Sequence, residues 1–215
     1  MAARDPAETM VIERDVPISM DDGLVIRADV YRPKTKGPVP VIMTSGPYGK
    51  GVKYQEHYKL MWDWLVEQHP DVLAGSTKSF LAWETVDPEI WVPWGYAVIR
   101  VDSRGAARSP GYLDIFSPRE TRDYYHAIEW AGTQPWSNSK VGLNGISYYA
   151  INQWHVAALQ PPHQAPWFHG RVQPTCTATG TDMAVSSRTS SWKLGIPVRC
   201  KRCNTAIRML PKTIG

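Results

Sequence analysis

A short strand, a tight turn and a helix are predicted in succession by the stretch KVGLNGISYYAINQWHVAALQPPH, residues 140–163. Residues 140–145 are typical of a strand, and the helix is indicated by Ile151, Trp154, His155, Ala158 and Leu159. Ser147 lies between the two elements, two residues after Gly145, as the nucleophile does in a strand–turn–helix elbow. The pattern leaves two interpretations open: a catalytic serine, or a Gly-x-Ser sequence that occurs by chance.

The residues before this stretch also alternate strands with helices. Apolar or alternating runs predict strands within 10–18, 23–33, 38–50 and 95–105, the first two joined by the turn MDDG. Strands that alternate with helices predict an α/β fold with a mostly parallel sheet, whose functional loops lie at the carboxyl ends of the strands.

One helix has clear start signals. Ser117 is expected to be its N-cap, Pro118 its first residue, and Glu120 the acid that completes a capping box. The predicted buried face of this helix carries Tyr124, Ala127, Ile128 and Ala131.

Residues 52–94 form a long, Trp-rich insertion between two predicted core strands. A connection of this length usually contains helix of its own and often borders an active site. The alternative is that the insertion merely packs on the sheet, and the sequence leaves both interpretations open.

Four stretches carry a family resemblance: MDDGLVIRADVYRP (20–33), SGPYGK (45–50), GYAVIRVDSRGAARSPG (95–111) and GISYYAINQW (145–154). They are similar, in order, to the opening hairpin, the oxyanion loop, an Asp-x-Arg-Gly segment and the nucleophile elbow of one family of serine hydrolases. That family includes cocaine esterase, α-amino-acid ester hydrolases, cephalosporin acylases and X-Pro dipeptidyl-peptidases. Ala150 departs mildly from it, because the family has its second elbow glycine there.

The resemblance implies an α/β-hydrolase fold and a role for three residues. Ser147 would attack an ester or amide carbonyl, while the Tyr48 hydroxyl and the Tyr148 backbone N–H would hold the oxyanion. Without the resemblance, Tyr48 reads as a turn aromatic that packs on its loop. Asp102 and Arg104 are expected to form an ion pair that shapes their loop. The resemblance calls for no metal or organic cofactor.

The acid and histidine of such an enzyme come after the nucleophile, and in the resembled family they lie far downstream, followed by a β-sandwich domain. Here the resemblance stops near residues 162–163. His163, His169 and Asp182 follow, but we expect no triad from them, and we expect both histidines to be solvated or disordered. An unpaired far edge of the elbow strand is also expected, and with it self-association through that edge.

Two parts of the chain differ in composition. Residues 1–163 hold 16 Lys and Arg against 19 Asp and Glu, whereas residues 164–215 hold 8 basic residues and one acid. We therefore expect residues 1–163 to be the N-terminal portion of a hydrolase domain and residues 164–215 to be an irregular basic tail. The hypothesis for the tail is a shifted reading frame, a retained intron or a mis-spliced exon. Its Cys200-Lys-Arg-Cys203 motif is interpreted as chance rather than as half a zinc site or a redox pair.

Composition also bears on location and function class. No apolar run is long enough for a membrane helix and no signal peptide is visible, so a cytoplasmic protein without a membrane association is expected.

The leading hypothesis is a serine hydrolase of small esters or amides, with esterase favoured over dipeptidyl-peptidase activity. The alternative is a catalytically inactive truncated hydrolase that acts as a binding or assembly protein. A nucleic-acid binder rests only on the basic tail, without a recognisable module, and is not expected.

Overall fold

The computed structural model describes residues 10–35 and 37–165, together with the backbone of residues 198–199 and 206–207. The chain divides into two compact units, Met1–Arg171 and Val172–Gly215. The described strands and helices of the first unit are β1 (Met10–Ser19), β2 (Val25–Pro33), β3 (Val39–Gly46), α1 (Tyr54–His57), α2 (Lys59–Gln68), α3 (Pro88–Trp91), β4 (Ala97–Asp102), α4 (Pro118–Gly132), β5 (Ser137–Leu143) and α5 (Tyr148–Ala157).

The second unit contains two short strands within its described residues. These strands, β6 (Val198–Arg199) and β7 (Ala206–Ile207), pair antiparallel. The expectations for the rest of the tail, including those for His169, Asp182, Cys200 and Cys203, fall outside the described residues.

The hairpin predicted around the turn MDDG is present. β1 and β2 pair antiparallel from Met10 opposite Pro33 to Ser19 opposite Val25. At the turn, the Met20 N–H donates to the Leu24 carbonyl over 2.8 Å. A bulge between Glu13 and Val16 interrupts the register, and it gives β1 a local kink.

Five strands of the first unit form one sheet in the order β1-β2-β4-β3-β5. β4, β3 and β5 run parallel, while β2 runs antiparallel to both β1 and β4. Four of these five strands therefore point the same way, which confirms the predicted mostly parallel sheet. The loops that follow β3, β4 and β5 consequently meet at one edge of the sheet.

Helix α4 covers one face of the sheet as predicted. Tyr124, Ala127, Ile128 and Ala131 are all buried in the main core. The Ser117 side chain caps the helix, because its hydroxyl oxygen accepts from the Glu120 N–H over 3.1 Å. The other half of the predicted capping box is wrong: the Glu120 carboxylate accepts from the Phe116 N–H instead of the Ser117 N–H.

Helix α5 exists where it was predicted, but the residues that indicated it are not the ones it buries most. Its buried face includes two amides, Asn152 and Gln153. The Asn152 amide donates to the Ser45 carbonyl over 2.7 Å, and the Gln153 amide donates to the Tyr149 carbonyl over 2.6 Å. These hydrogen bonds allow polar side chains to face the sheet, while Leu159, beyond the end of the helix, is exposed.

The insertion covers the opposite face of the sheet. It contains α1, α2, α3 and a short 3₁₀ turn (Pro70–Leu73). Its Phe80, Val86, Trp91 and Val92 belong to a second core cluster with Met10, Tyr31 and Val98. Among the described residues, no helix is both long and apolar enough to cross a membrane.

The far edge of β5 is partly paired, contrary to expectation. The Val141 N–H donates to the His163 carbonyl, and the Ala165 N–H donates to the Val141 carbonyl, both over 2.9 Å. Gln164 thus pairs with Val141 in a parallel β-bridge. The prediction of an unpaired edge is therefore wrong at Val141, because residues 163–165 continue the sheet there.

Candidate active site

The turn between β5 and α5 has the backbone geometry of a nucleophile elbow. Ser147 has φ 55° and ψ −117°, a conformation that residues with a Cβ rarely adopt. Gly145 has φ 155°, and a Cβ built on it would lie 2.2 Å from the Cβ of Tyr149. The turn therefore requires glycine at position 145, and it leaves Ser147 exposed.

Relief of the strain at Ser147 is expected to stabilise the fold. Ser147→Gly should raise the free energy of unfolding by about 1 kcal/mol, because glycine tolerates this backbone conformation even after its own entropic cost. Ser147→Ala keeps the Cβ and is the matched control, expected within about 0.5 kcal/mol of the wild type. Urea denaturation followed by tryptophan fluorescence measures both variants. Equal stability of Ser147→Gly and Ser147→Ala would show that the strain costs nothing.

The start of α5 leaves both the serine hydroxyl and one backbone donor available. The Ser147 side chain makes no capping hydrogen bond to the helix. The backbone carbonyl of Ser147 accepts from the N–H groups of Ala150 and Ile151, both over 3.0 Å. The N–H of Tyr148, the first residue of α5, has no acceptor within the helix and lies at the positive end of the helix dipole. This arrangement suits the oxyanion that forms on a carbonyl oxygen when Ser147 attacks the carbonyl carbon.

Tyr48 lies beside the elbow, in the loop that follows β3. Its ring packs edge-on against the rings of Tyr148 and Tyr149, with centroid distances of 5.9 and 5.3 Å. Burial raises the pKa of Tyr48, and the nearby Glu84 and Tyr58 add to this. Its phenol is therefore protonated and able to donate at neutral pH. The structure brings Ser147, Tyr48 and Tyr148 together, while their roles stay predictions.

Tyr149 occupies the position where the common elbow pattern has glycine. Its side chain is buried, and it fills the space beside two glycines. A Cβ at Gly46 would lie 2.3 Å from the Tyr149 ring, and a Cβ at Gly145 would meet its Cβ. The space that glycine usually provides after the serine is thus supplied here by Gly46 and Gly145.

A buried lysine anchors the loop that carries Tyr48. Lys50 donates its backbone N–H to the Asp102 carboxylate over 2.7 Å, and its ammonium group lies 2.6 Å from Asp15 and 3.2 Å from Asp29. A cavity of about 500 Å³ opens at this cluster, but Ser147 does not line it. We therefore place the candidate site at the elbow, where the nucleophile is, and assign the lysine cluster a structural part.

The expected ion pair between Asp102 and Arg104 is wrong. Asp102 is fully buried and accepts hydrogen bonds from the N–H groups of Lys50 and Arg108. Arg104 points the other way and pairs with Asp123 of α4, with its Nε 2.7 Å from the carboxylate, and with Asp22. Both residues do shape their loop, but through different partners.

The insertion borders the candidate site as well as packing on the sheet. Tyr58 and Glu84 both lie near enough to Tyr48 to influence its pKa. Tyr58 stacks on Trp83 with a centroid distance of 4.3 Å. Burial raises the pKa of Glu84, and one of its buried carboxylate oxygens has no hydrogen-bond partner among the described residues. Residues 52–94 therefore pack on the sheet and also reach Tyr48, while their part in an active site stays a prediction.

A catalytic base for Ser147 is not found among residues 10–35 and 37–165. No described histidine makes a hydrogen bond to the serine hydroxyl. His163 was expected to be solvated or disordered, and this is wrong. Its ring Nδ1 lies 2.8 Å from the Glu129 carboxylate, and its backbone N–H donates to the same group over 3.1 Å. The His163 ring packs against Gly132, since a Cβ built on Gly132 would lie 2.2 Å from the ring.

No group of three or more His, Cys, Asp or Glu side chains in the described part of the chain could hold a metal ion. The groups gathered at the elbow are the serine hydroxyl, the three tyrosines Tyr48, Tyr148 and Tyr149, and a helix N-terminus.

Comparison with known proteins adds to this geometry. The sequence pattern of the family described as X-Pro dipeptidyl-peptidase (S15 family) matches residues 22–167. The chain belongs to this S15 family. The matched residues include β2 to β5, the insertion and the elbow.

Individual proteins also match a large part of the chain. Cocaine esterase of Rhodococcus sp. (strain MB1 Bresler) is 30% identical over 173 residues, which are 73% of this chain and 25% of that protein. The Xaa-Pro dipeptidyl-peptidase of Streptococcus sanguinis (strain SK36) is 23% identical over 164 residues, 58% of this chain and 22% of the other. A solved CocE/NonD family hydrolase from Staphylococcus aureus is 39% identical with a TM-score of 0.62, covering 74% of this chain and 27% of that one.

These comparisons confirm the resemblance and the α/β-hydrolase fold. A solved α-amino acid ester hydrolase, 23% identical with a TM-score of 0.55, shares the fold. The chain spans about a quarter of the length of the relatives it matches. The boundary expected at residues 163–164 stays a prediction.

Proposed function

We propose that this chain is a serine hydrolase that cleaves small acyl esters or amides through an acyl-enzyme on Ser147. The observation that carries the proposal is the strained, exposed conformation of Ser147 between β5 and α5. In this reaction the serine oxygen bonds to the carbonyl carbon, and the bond from that carbon to the leaving group breaks. The serine proton passes through a base to the leaving group, and water then releases the acid.

Two donors support the negative charge that develops on the carbonyl oxygen. These are the Tyr48 hydroxyl and the Tyr148 N–H, each contributing about 3–4 kcal/mol to the transition state by comparison with similar sites. The raised pKa of Tyr48 supports this part of the proposal, because only a protonated phenol donates.

Ester substrates are favoured over X-Pro peptides. The match to a protein named cocaine esterase covers more of the chain, at higher identity, than the match to the streptococcal Xaa-Pro dipeptidyl-peptidase. Turnover of p-nitrophenyl acetate compared with Gly-Pro-p-nitroanilide tests this preference. Faster release from the anilide would reverse it.

A second candidate is an inactive hydrolase that acts as a binding or assembly protein. It is favoured by one observation: in the described ranges, no histidine is hydrogen-bonded to the hydroxyl of Ser147. Self-association through the edge of β5 belongs to this candidate, and like the cytoplasmic location it stays a prediction.

Labelling with a fluorophosphonate probe separates the two candidates. The full chain is incubated with the probe and its intact mass is measured, with Ser147→Ala as the control. A mass shift of one probe that is absent in Ser147→Ala would mean that a base activates the serine. A folded chain that gains no mass would favour the inactive candidate.

A further inference from the structure

The side chain of Tyr148 is anchored away from the reaction site. Its hydroxyl donates to the Glu120 carboxylate, with both oxygens at 2.5 Å. Its ring stacks on Phe116 with a centroid distance of 4.4 Å and an interplanar angle of 25°. Burial, followed by the hydrogen bond to Glu120, raises the pKa of Tyr148. The phenol is therefore a donor at neutral pH, and both its hydroxyl and its ring are held.

Glu120 joins three segments of the chain. Besides Tyr148 of α5, it accepts from the Ser103 hydroxyl at the end of β4 and from the Phe116 N–H before α4, both over 2.8 Å. Phe116 has φ 57°, a conformation that needs support from its surroundings. The Glu120 side chain is buried, and these three donors satisfy its carboxylate, with no basic partner among the residues that the structure describes.

Tyr148 also contacts the second oxyanion donor. Its ring packs edge-on against Tyr48 at 5.9 Å and 66°. Its backbone N–H is the first donor, so a displacement of Tyr148 would move one donor directly and the other through the ring contact. Donors act only within a few tenths of an ångström of the right place.

We propose that Glu120 is a positioning residue of the oxyanion hole: it fixes Tyr148, and through the Tyr148 ring it fixes Tyr48. This inference rests on the proposed function, since it takes Tyr148 and Tyr48 as the oxyanion donors. Glu120 itself does not contact the reacting atoms.

The test uses a nucleophile that needs no histidine. In the full chain carrying Ser147→Cys, the thiol is acylated by p-nitrophenyl acetate and, separately, alkylated by iodoacetamide. Acylation forms a bond from sulfur to the carbonyl carbon, passes through an oxyanion and expels p-nitrophenolate, while the thiol proton goes to solvent. Alkylation displaces iodide and forms no oxyanion. The ratio of the two rates, read from the peptide that contains position 147, therefore reports the oxyanion hole.

Glu120→Ala in this background is expected to lower the ratio about 100-fold, because misplacement of donors by about 1 Å costs this much. Tyr148→Phe keeps the ring and loses the anchor, and we expect a fall of about 10-fold. Glu120→Gln still accepts hydrogen bonds and should stay within about fivefold of the parent. This rescue by the conservative variant, together with an unchanged alkylation rate, distinguishes positioning from a general loss of structure.

Tyr124→Phe is the matched control. The Tyr124 hydroxyl is buried and has no hydrogen-bond partner in the described part of the chain, so its removal should leave the ratio unchanged. If Glu120→Ala does not fold, as judged by thermal unfolding, Tyr148→Phe decides the question.

Three results would overturn the proposal. The first is a ratio within twofold of the parent in Tyr148→Phe, and the second is a parallel fall of both rates. The third is a parent ratio no higher than at Cys176, Cys200 and Cys203 in the same sample. Failure of the wild-type chain to react with a fluorophosphonate would defeat the proposed enzyme, yet it would leave this thiol test of Glu120 intact.

Discussion

Lys50→Met is expected to lower the free energy of unfolding by about 3–5 kcal/mol, the usual cost of removing one partner from a buried ion pair. Methionine replaces the lysine stem with similar volume, so the loss comes from the charge. Asp102 is fully buried and Asp29 nearly so, and both lie within 3.5 Å of the lysine ammonium group. Urea denaturation at neutral pH measures the effect.

The dependence of this loss on pH follows from the carboxylates. Burial raises the pKa of Asp102, while Lys50 and two backbone N–H groups oppose that rise. Without the lysine, the pKa of Asp102 rises further, and the carboxyl takes up a proton as the pH falls. The deficit of Lys50→Met should therefore be smaller at about pH 5 than at about pH 7.5.

The stabilising effect of Lys50 in the wild-type chain changes at alkaline pH. Burial alone would lower the pKa of Lys50, but the three carboxylates outweigh burial and raise it. Its stabilising effect is therefore present below the unfolded pKa of about 10.4 and is lost as the pH rises through the folded pKa.

Lys59→Met is the control for this prediction. Lys59 pairs with Asp63 on the exposed surface of α2, and its removal should cost no more than about 0.5 kcal/mol. Similar losses in the two variants, or a Lys50→Met deficit that does not change with pH, would contradict the assignment of a buried charge cluster.

Gly145→Ala is expected to destabilise the chain by about 3–4 kcal/mol, from overpacking together with a positive φ. The new methyl group would lie 2.2 Å from the Cβ of Tyr149 and 3.1 Å from its backbone carbonyl carbon. Tyr149 cannot retreat, because its ring already lies against Gly46. Thermal and urea unfolding measure the loss.

Gly37→Ala is the matched control. A Cβ at Gly37 meets no atom of the described residues within 4 Å, so we expect a change of at most about 0.5 kcal/mol. A comparable loss at both glycines would mean that the elbow is not tightly packed.

The sequence was sufficient to predict the elbow because its signals are local. A strand, Gly145, Ser147 and a helix follow within a few residues, and each has its own propensity or turn requirement. The capped helix α4 was predicted for the same reason, since Ser117 and Pro118 act within one turn.

Side chains that connect distant segments could not be predicted in this way. Glu120 carries a local capping signal, but its bond to Tyr148 spans 28 positions. Lys50 and Asp102 meet across 52 positions, so their contact depends on the sheet order. Nor does periodicity indicate that Asn152 of α5 faces inward, because its partner, the Ser45 carbonyl, is supplied by the distant strand β3.

The strand order has a consequence for synthesis on the ribosome. β3 pairs with β4 and β5 on its two sides, and both are made later than β3, with the whole insertion translated in between. At about 5–20 residues per second, the backbone N–H and C=O groups along both edges of β3 stay unpaired for seconds, while the β1–β2 hairpin is already complete. A nascent chain halted before residue 97 would expose β3 to chaperones and proteases, and one extended past residue 143 could shield it.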